Sequence, residues 1–297
     1  MKFWITGSNG FLAKLIHKTC KANGFSFVST SKNEVDISSL EQVYRFIESN
    51  AQDPITHIVN CAALAHVDLA EKNPEAAFAV NTLGPENLGK VASCYEIPIL
   101  HFSSEYVFNG CGNGIFSEED IPIPLGVYAE TKREGELRLL NAHQKSCIIR
   151  TSWLFGGNGK TFLSSMFDRI KNNKILKIAS DQKNRATYIK DLAEKIFFFF
   201  EHQGIFHFAN QGIVSRYEIA KTMWQYAKES SLPILCEEIL PMNSNAFIQL
   251  NKRPSSCILD TSKIEETQKS PIRTWDKAVR DLVLSDVVIS PDCFSSN

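Results

Sequence analysis

The stretch Lys2-Phe-Trp-Ile-Thr-Gly7-Ser-Asn-Gly10-Phe-Leu-Ala13 decides the fold. A short apolar run, Lys2 to Thr6, enters a glycine turn and leaves it into the amphipathic segment Leu12 to Ala22. The order predicted is strand, tight turn, helix. The spacing is G-x-x-G-x-x-A. Gly7 permits the turn, Gly10 lets the backbone approach a pyrophosphate, and Ala13 is small enough for the helix to pack on the strand. Backbone N–H groups from Asn9 and Gly10 to Phe11 and Leu12 then face the phosphates of a dinucleotide.

Outward from this unit, strand and helix alternate five times through residue 151. That predicts an α/β chain, a Rossmann-like doubly wound parallel sheet with helices on both faces. The second strand, Phe25 to Ser29, is followed by Thr30-Ser31-Lys32. A carboxylate at this place selects the ribose 2′-hydroxyl of NAD, whereas hydroxyls and a lysine suit a 2′-phosphate. NADPH is therefore the expected cofactor, with NADH the alternative if Lys32 is only a solvated loop residue. Asp36 and Ile37 come next and are expected at the adenine edge. The third strand, His57 to Asn60, leads into Cys61-Ala62-Ala63, small residues that either leave room for a cofactor or simply pack closely. Pro74 to Ala92 reads as one helix enclosing the polar Asn81. The fourth strand, Ile97 to Phe102, delivers Ser103, Ser104 and Glu105 to the carboxyl edge, where ligands bind in such sheets.

The next helix carries Tyr128-Ala-Glu-Thr-Lys132. A Tyr and a Lys four residues apart share one helix face. An ammonium there is expected to pull the Tyr128 pKa from its usual ~10 towards neutral. A phenol that gives and takes a proton is the general acid of a carbonyl reduction. A chance surface pair has the same spacing; the glycine turn and the Ser103-Ser104 pair favour the site.

The second half is less regular. Phe162 to Ile170, Ile189 to Phe200 and Thr274 to Leu284 read as helices, and Ile175 to Ala179 and Gly204 to Phe208 as strands. Tyr217, Ala220, Met223, Trp224 and Ala227 recur at helical spacing and are expected in a core. The expected division is a dinucleotide-binding domain over 1–154, to which segments near 187–212 return. A smaller C-terminal α/β substrate lobe would take 155–186 and 213–290, followed by a loose tail over 291–297.

Composition excludes little but points one way. The 297 residues carry a net charge of -1, with 22% charged and 43% hydrophobic, so neither nucleic acid nor an anionic membrane is an expected partner. No apolar run approaches the ~20 residues of a bilayer span, and the turn at Gly7 leaves no place for a signal peptide. Eight cysteines, at 20, 61, 94, 111, 147, 236, 257 and 293, include no C-x-x-C pair, which argues against a disulfide framework or zinc knuckle. A soluble, cytoplasmic protein is expected.

Further motifs extend the pattern. They include Val59-Asn-Cys-Ala-Ala63, Val67-Asp-Leu-Ala-Glu71, Val80-Asn-Thr-Leu-Gly84 and Ser103-Ser-Glu-Tyr-Val-Phe108. Beyond Tyr128 and Lys132 come Gly135-Glu136, Arg150-Thr-Ser-Trp-Leu-Phe-Gly156, Asp181-Gln182, Arg253-Pro254 and Leu259-Asp-Thr-Ser-Lys263. As an ordered set over nearly the whole length, they resemble the dTDP-4-dehydrorhamnose reductases, members of the extended short-chain dehydrogenase/reductases. The resemblance implies hydride transfer from NADPH to C4 of a nucleotide-linked 4-keto-6-deoxysugar. It implies that Tyr128 protonates the alkoxide, that Ser104 hydrogen-bonds it in place of the usual Thr, and that Lys132 holds the nicotinamide ribose. Trp153 matches a residue packed against the sugar, or is a core Trp. Glu105, on the substrate side, replaces the usual Asp, and Ala129 a Gly. The segment Asp181-Gln-Lys-Asn-Arg-Ala-Thr187 lacks a Gly and a Pro, and Arg216 stands where a Trp is common. The acidic residues that hold Mg2+ in some bacterial members are not recognisable, so no metal is expected; a homodimer is left open. Two other readings remain: an NAD-retaining epimerase, and a non-catalytic regulator resembling that of methionine adenosyltransferase. A dehydratase is disfavoured, because Tyr106 follows Glu105 where an acid pair is needed.

Overall fold

A computed structural model describes residues 1–110, 114–157, 164–246 and 256–287. Cys111, Phe162, Arg253, Pro254, Cys293 and the tail over 291–297 lie outside the described residues.

Six strands form the central sheet: β1 (Lys2–Thr6), β2 (Ser26–Thr30), β3 (His57–Asn60), β4 (Ile99–Ser104), β5 (Ser146–Thr151) and β6 (Gly204–Phe208). Their order is β2-β1-β3-β4-β5-β6, every pair parallel. This is the doubly wound sheet that the alternation predicts. Chain order reverses at β1, so the gap between the carboxyl ends of β1 and β3 is a switch point, where open α/β sheets bind ligands.

Alternate residues along each strand feed opposite layers. Phe3, Ile5, Val59, Leu100, Phe102 and Ile149 pack beneath helix α1 (Phe11–Ala22) and the short helices Ile189–Glu194 and Ile196–Phe199. Trp4, Ile58, Ile99 and Ile148 pack on the other face, beneath α2 (Leu40–Ser49), α3 (Gly84–Cys94) and α4 (Val127–Ala142). Being covered on both faces explains why these strands read as nearly continuous apolar runs.

A second core lies C-terminal to the sheet, built on Phe155, Met166, Ile170, Tyr188, Val214 and helix α5 (Arg216–Glu229). The expected stripe is inside it: Ala220, Met223 and Ala227 are buried, with Tyr217 and Trp224 packed against them. Ser215 and Glu218 start α5 with a reciprocal capping box. Strand Ile175–Ala179 is present and pairs in parallel with Glu238–Met242.

Several boundaries differ from the sequence reading. β2 begins one residue later than expected. β4 runs two residues further, because Ser103 and Ser104 stay in register with Arg150 and Thr151. The single helix expected over Pro74 to Ala92 is broken by a π turn at Ala79–Leu83. There the Gly135 backbone of α4 comes so close that a Cβ on it would overlap the Asn81 carbonyl, and the Asn81 side chain is committed to Leu64. Thr274 to Leu284 is likewise split, into Trp275–Asp281 and a π turn at Leu282–Val287.

Candidate active site

The site assembles where two polar rows cross the carboxyl edge of the sheet. Thr6, Asn60 and His101 are register partners across β1, β3 and β4, and all are buried. Thr6 Oγ1 donates to Asn60 Oδ1 at 2.7 Å, and the Ala62 N–H donates to the same oxygen at 3.1 Å. Asn60 Nδ2 lies 3.0 Å from His101 Nδ1. Lys132 closes this row from α4. Its Nζ donates to the Phe102 carbonyl at 2.7 Å and lies 3.2 Å from His101 Nε2.

The second row is Ser103, Arg150 and His207, across β4, β5 and β6. Glu136, one turn of α4 beyond Lys132, accepts two hydrogen bonds from Arg150 at 2.9 and 2.8 Å and one from Arg133 at 2.9 Å. Burial works against the Glu136 carboxylate, yet Arg150 and Arg133 hold its pKa below the ordinary value. Burial likewise lowers Lys132, to about 8, with Glu136 and Cys61 opposing.

Above these rows lies a cavity of about 420 Å³, lined by Phe11, Ser104, Glu105, Tyr128, Trp153 and Arg216 among others. Tyr128 and Ser104 both line it, near enough for the Ser104 side chain to favour the phenolate. Ser104 Oγ donates to Glu105 Oε2 at 2.9 Å. Burial raises Glu105 to about 7, against the pull of Ser104 and Arg216. On the far wall the Arg216 guanidinium stands 4.7 Å over the Trp153 ring and donates to Gln182 at 3.2 Å. Trp153 takes a left-handed backbone, φ 41°. That conformation is strained for a large residue and recurs where a site over-determines it.

Phe11 joins this cavity to the glycine turn, being the first residue of α1. Gly7 has φ 66°, and a Cβ on it would lie 2.8 Å from Ala62 Cα. No side chain caps α1 and no acidic residue sits in its first turn. The helix thus brings no capping or acidic side chain of its own to its positive end, beside a turn of bare backbone, which fits a pyrophosphate.

The sequence profile described as "RmlD substrate binding domain" matches residues 1–287. A dTDP-4-dehydrorhamnose reductase of Aggregatibacter actinomycetemcomitans is 32% identical over 94% of this chain and 97% of its own. The crystal structure of such a reductase from Clostridium acetobutylicum superposes with a TM-score of 0.88 at 30% identity, covering 97% of this chain and all of that one. Another, from Bacillus anthracis in complex with NADP, gives 0.88 at 26% identity over 95% and 98% of the two chains. The chain belongs to the dTDP-4-dehydrorhamnose reductase family. It is an oxidoreductase by that membership.

Within this reductase framework the expected residues fall into three groups. Ser104, Glu105, Tyr128 and Trp153 share the cavity. Gly7, Asn9, Gly10, Phe11 and Leu12 form the turn and the start of α1, with Cys61, Ala62 and Ala63 opposite at the switch point. Leu12 is buried in the core, so only its backbone faces outward. At the end of β2 the fit is looser. Ser31 is occupied, its N–H and Oγ both donating to Glu34 at 2.7 Å. Lys32 is exposed, 3.9 Å from the Asp36 carboxylate. The Ile37 side chain is buried and packs against Gly84.

One electrostatic expectation fails. Lys132 is folded onto β4, and burial raises the Tyr128 pKa, reinforced by Glu105 and Tyr106 and opposed only by Ser104. Thr6, His101 and Glu34 were missed altogether. A polar residue near the carboxyl end of each inner strand was the available signal for the first two.

Proposed function

We propose that the chain binds NADPH over the Gly7–Gly10 turn and reduces the 4-keto group of a nucleotide-linked 6-deoxysugar, with dTDP-4-dehydro-L-rhamnose the expected substrate. One observation carries this reading: the first residue of α1 and the hydroxyl-bearing Ser104 and Tyr128 line the same cavity. A cofactor bound there supplies the hydride. Ser104 and Tyr128 hold the carbonyl oxygen by hydrogen bonds that strengthen as it gains negative charge, so they favour the transition state over the substrate. Tyr128 then gives its proton to that oxygen. Its raised pKa suits a group that must arrive protonated. Trp153 and Arg216 wall the sugar side, supported by the C-terminal core as a substrate lobe. Lys32 and Ser31 serve a 2′-phosphate, Ser31 once Glu34 releases it. The Bacillus anthracis relative's complex with NADP supports that cofactor.

The test is NADPH consumption by the purified chain alone with dTDP-4-dehydro-L-rhamnose, beside other 4-keto sugar nucleotides. Stoichiometric oxidation with release of NADP+ supports the proposal. A tightly held cofactor that cycles without net oxidation means epimerisation, and binding without turnover means a regulator.

A further inference from the structure

Asn60 has a fixed orientation. Its Oδ1 receives the Thr6 hydroxyl and the Ala62 N–H, which also reaches Thr6 Oγ1 at 3.3 Å, and a rotated amide would set an NH2 against that N–H. Nδ2 therefore faces His101 and donates to Nδ1 at 3.0 Å. A ring nitrogen that accepts carries no proton, so the hydrogen of the neutral imidazole sits on Nε2. His101 is fully buried, and burial first, then Lys132, holds its pKa well below the usual range, so it stays neutral.

The Nε2–H points at Lys132 Nζ, 3.2 Å away. An ammonium has three donors and no acceptor, so an Nε2–H and an ammonium repel. A neutral amine resolves the conflict: its lone pair accepts from Nε2–H while one of its own hydrogens goes to the Phe102 carbonyl, 2.7 Å away. The neighbours do not reverse this. Cys61, beyond β3, is a thiol that burial keeps protonated. Tyr128, one turn earlier, is a protonated phenol. Glu136, one turn later, favours an ammonium, but its charge is already committed to Arg150 and Arg133. Burial, the largest influence on Lys132, acts in the same direction as His101.

We propose that His101 is a positioning residue, locked by Asn60 as the Nε2–H tautomer, which stores Lys132 as a neutral amine against β4 until cofactor draws it out and it takes up a proton. The proposal rests on the reading of Lys132 as the residue that meets the bound cofactor, but the tautomer lock does not. Above pH of about 8 the resting Lys132 then has no charge with which to lower the Tyr128 pKa. Cofactor binding would supply the acceptors that make an ammonium favourable.

Two measurements test it. The ring nitrogens of His101 are read by nitrogen-15 NMR of the cofactor-free chain, assigned by comparison with His101→Gln. Protonated Nε2 and bare Nδ1 are expected above pH of about 8, where Lys132 is a neutral amine; a protonated Nδ1 there, alone or in an imidazolium, overturns the proposal whatever the cofactor does. Calorimetric titration with NADPH, in buffers of different ionisation enthalpy, counts protons taken up. Uptake should approach one per chain above pH of about 8 and vanish in more acidic buffer. In His101→Gln it should set in only at higher pH, because an amide oxygen can accept from an ammonium and burial alone then opposes the charge. A wild-type chain that binds NADPH without uptake overturns the storage step. A chain that fails to bind NADPH refutes the cofactor assignment instead, and the NMR result still decides the tautomer.

Discussion

Replacing Tyr128 by Phe removes one hydroxyl from the cavity and little else. The ring is buried against Ala70 and Ala77 and meets Tyr106 edge-on, with centroids 5.8 Å apart, contacts that Phe keeps. The hydroxyl lost shares the cavity with Ser104, and even a full hydrogen bond there would contribute only about 0.5–1.5 kcal/mol to stability. The catalytic loss is of another order. A positioned proton donor contributes about 10²–10⁴-fold, or roughly 2.7–5.5 kcal/mol of transition-state stabilisation. The assay follows NADPH consumption with dTDP-4-dehydro-L-rhamnose, alongside NADPH affinity and a thermal melt. The expected result is a kcat lower by about 10²-fold or more, with NADPH affinity and melting temperature close to the parent's. A variant that keeps more than about a third of the rate would place the proton donor elsewhere. Equal losses of cofactor affinity and stability would instead make Tyr128 a packing residue.

Three other perturbations have defined outcomes. The Glu105 pKa of about 7 lies above that of a free glutamate, ~4.3, so its stabilising effect is complete below the free value and is lost as pH rises to about 7. Glu105→Gln should therefore flatten the fall in chemical-denaturation stability across that window, a difference of roughly 4 kcal/mol; parallel curves for the two proteins would refute the raised pKa. Gly7→Ala forces a left-handed residue to carry a Cβ 2.8 Å from the Ala62 backbone, so a lowered melting temperature and loss of NADPH binding are expected, and unchanged binding would exclude the turn as the pyrophosphate cradle. Glu136→Ala leaves Arg150 buried without its partner, a cost of about 3–5 kcal/mol in unfolding free energy by denaturant titration; a change below about 1 kcal/mol would mean that the pair is solvated.

The order of elements was legible from one dimension, because glycine spacing, apolar runs and helical periodicity are local. Gly7 and Gly10 announced a turn of bare backbone, and five alternations announced a parallel sheet. Tyr128 and Lys132 announced a shared helix face. What Lys132 does on that face was not legible. Its partners, His101 and the Phe102 carbonyl, come from a strand about thirty residues away in sequence, and their approach depends on how α4 settles on the sheet. The row from Thr6 to His101 exists only through strand register, since no spacing along the chain encodes which residues of β1, β3 and β4 stand side by side. The pKa values of Tyr128, Glu105 and Lys132 follow from burial, a property of the packed molecule. Local chemistry named the groups that could react; tertiary packing decided which protons they hold.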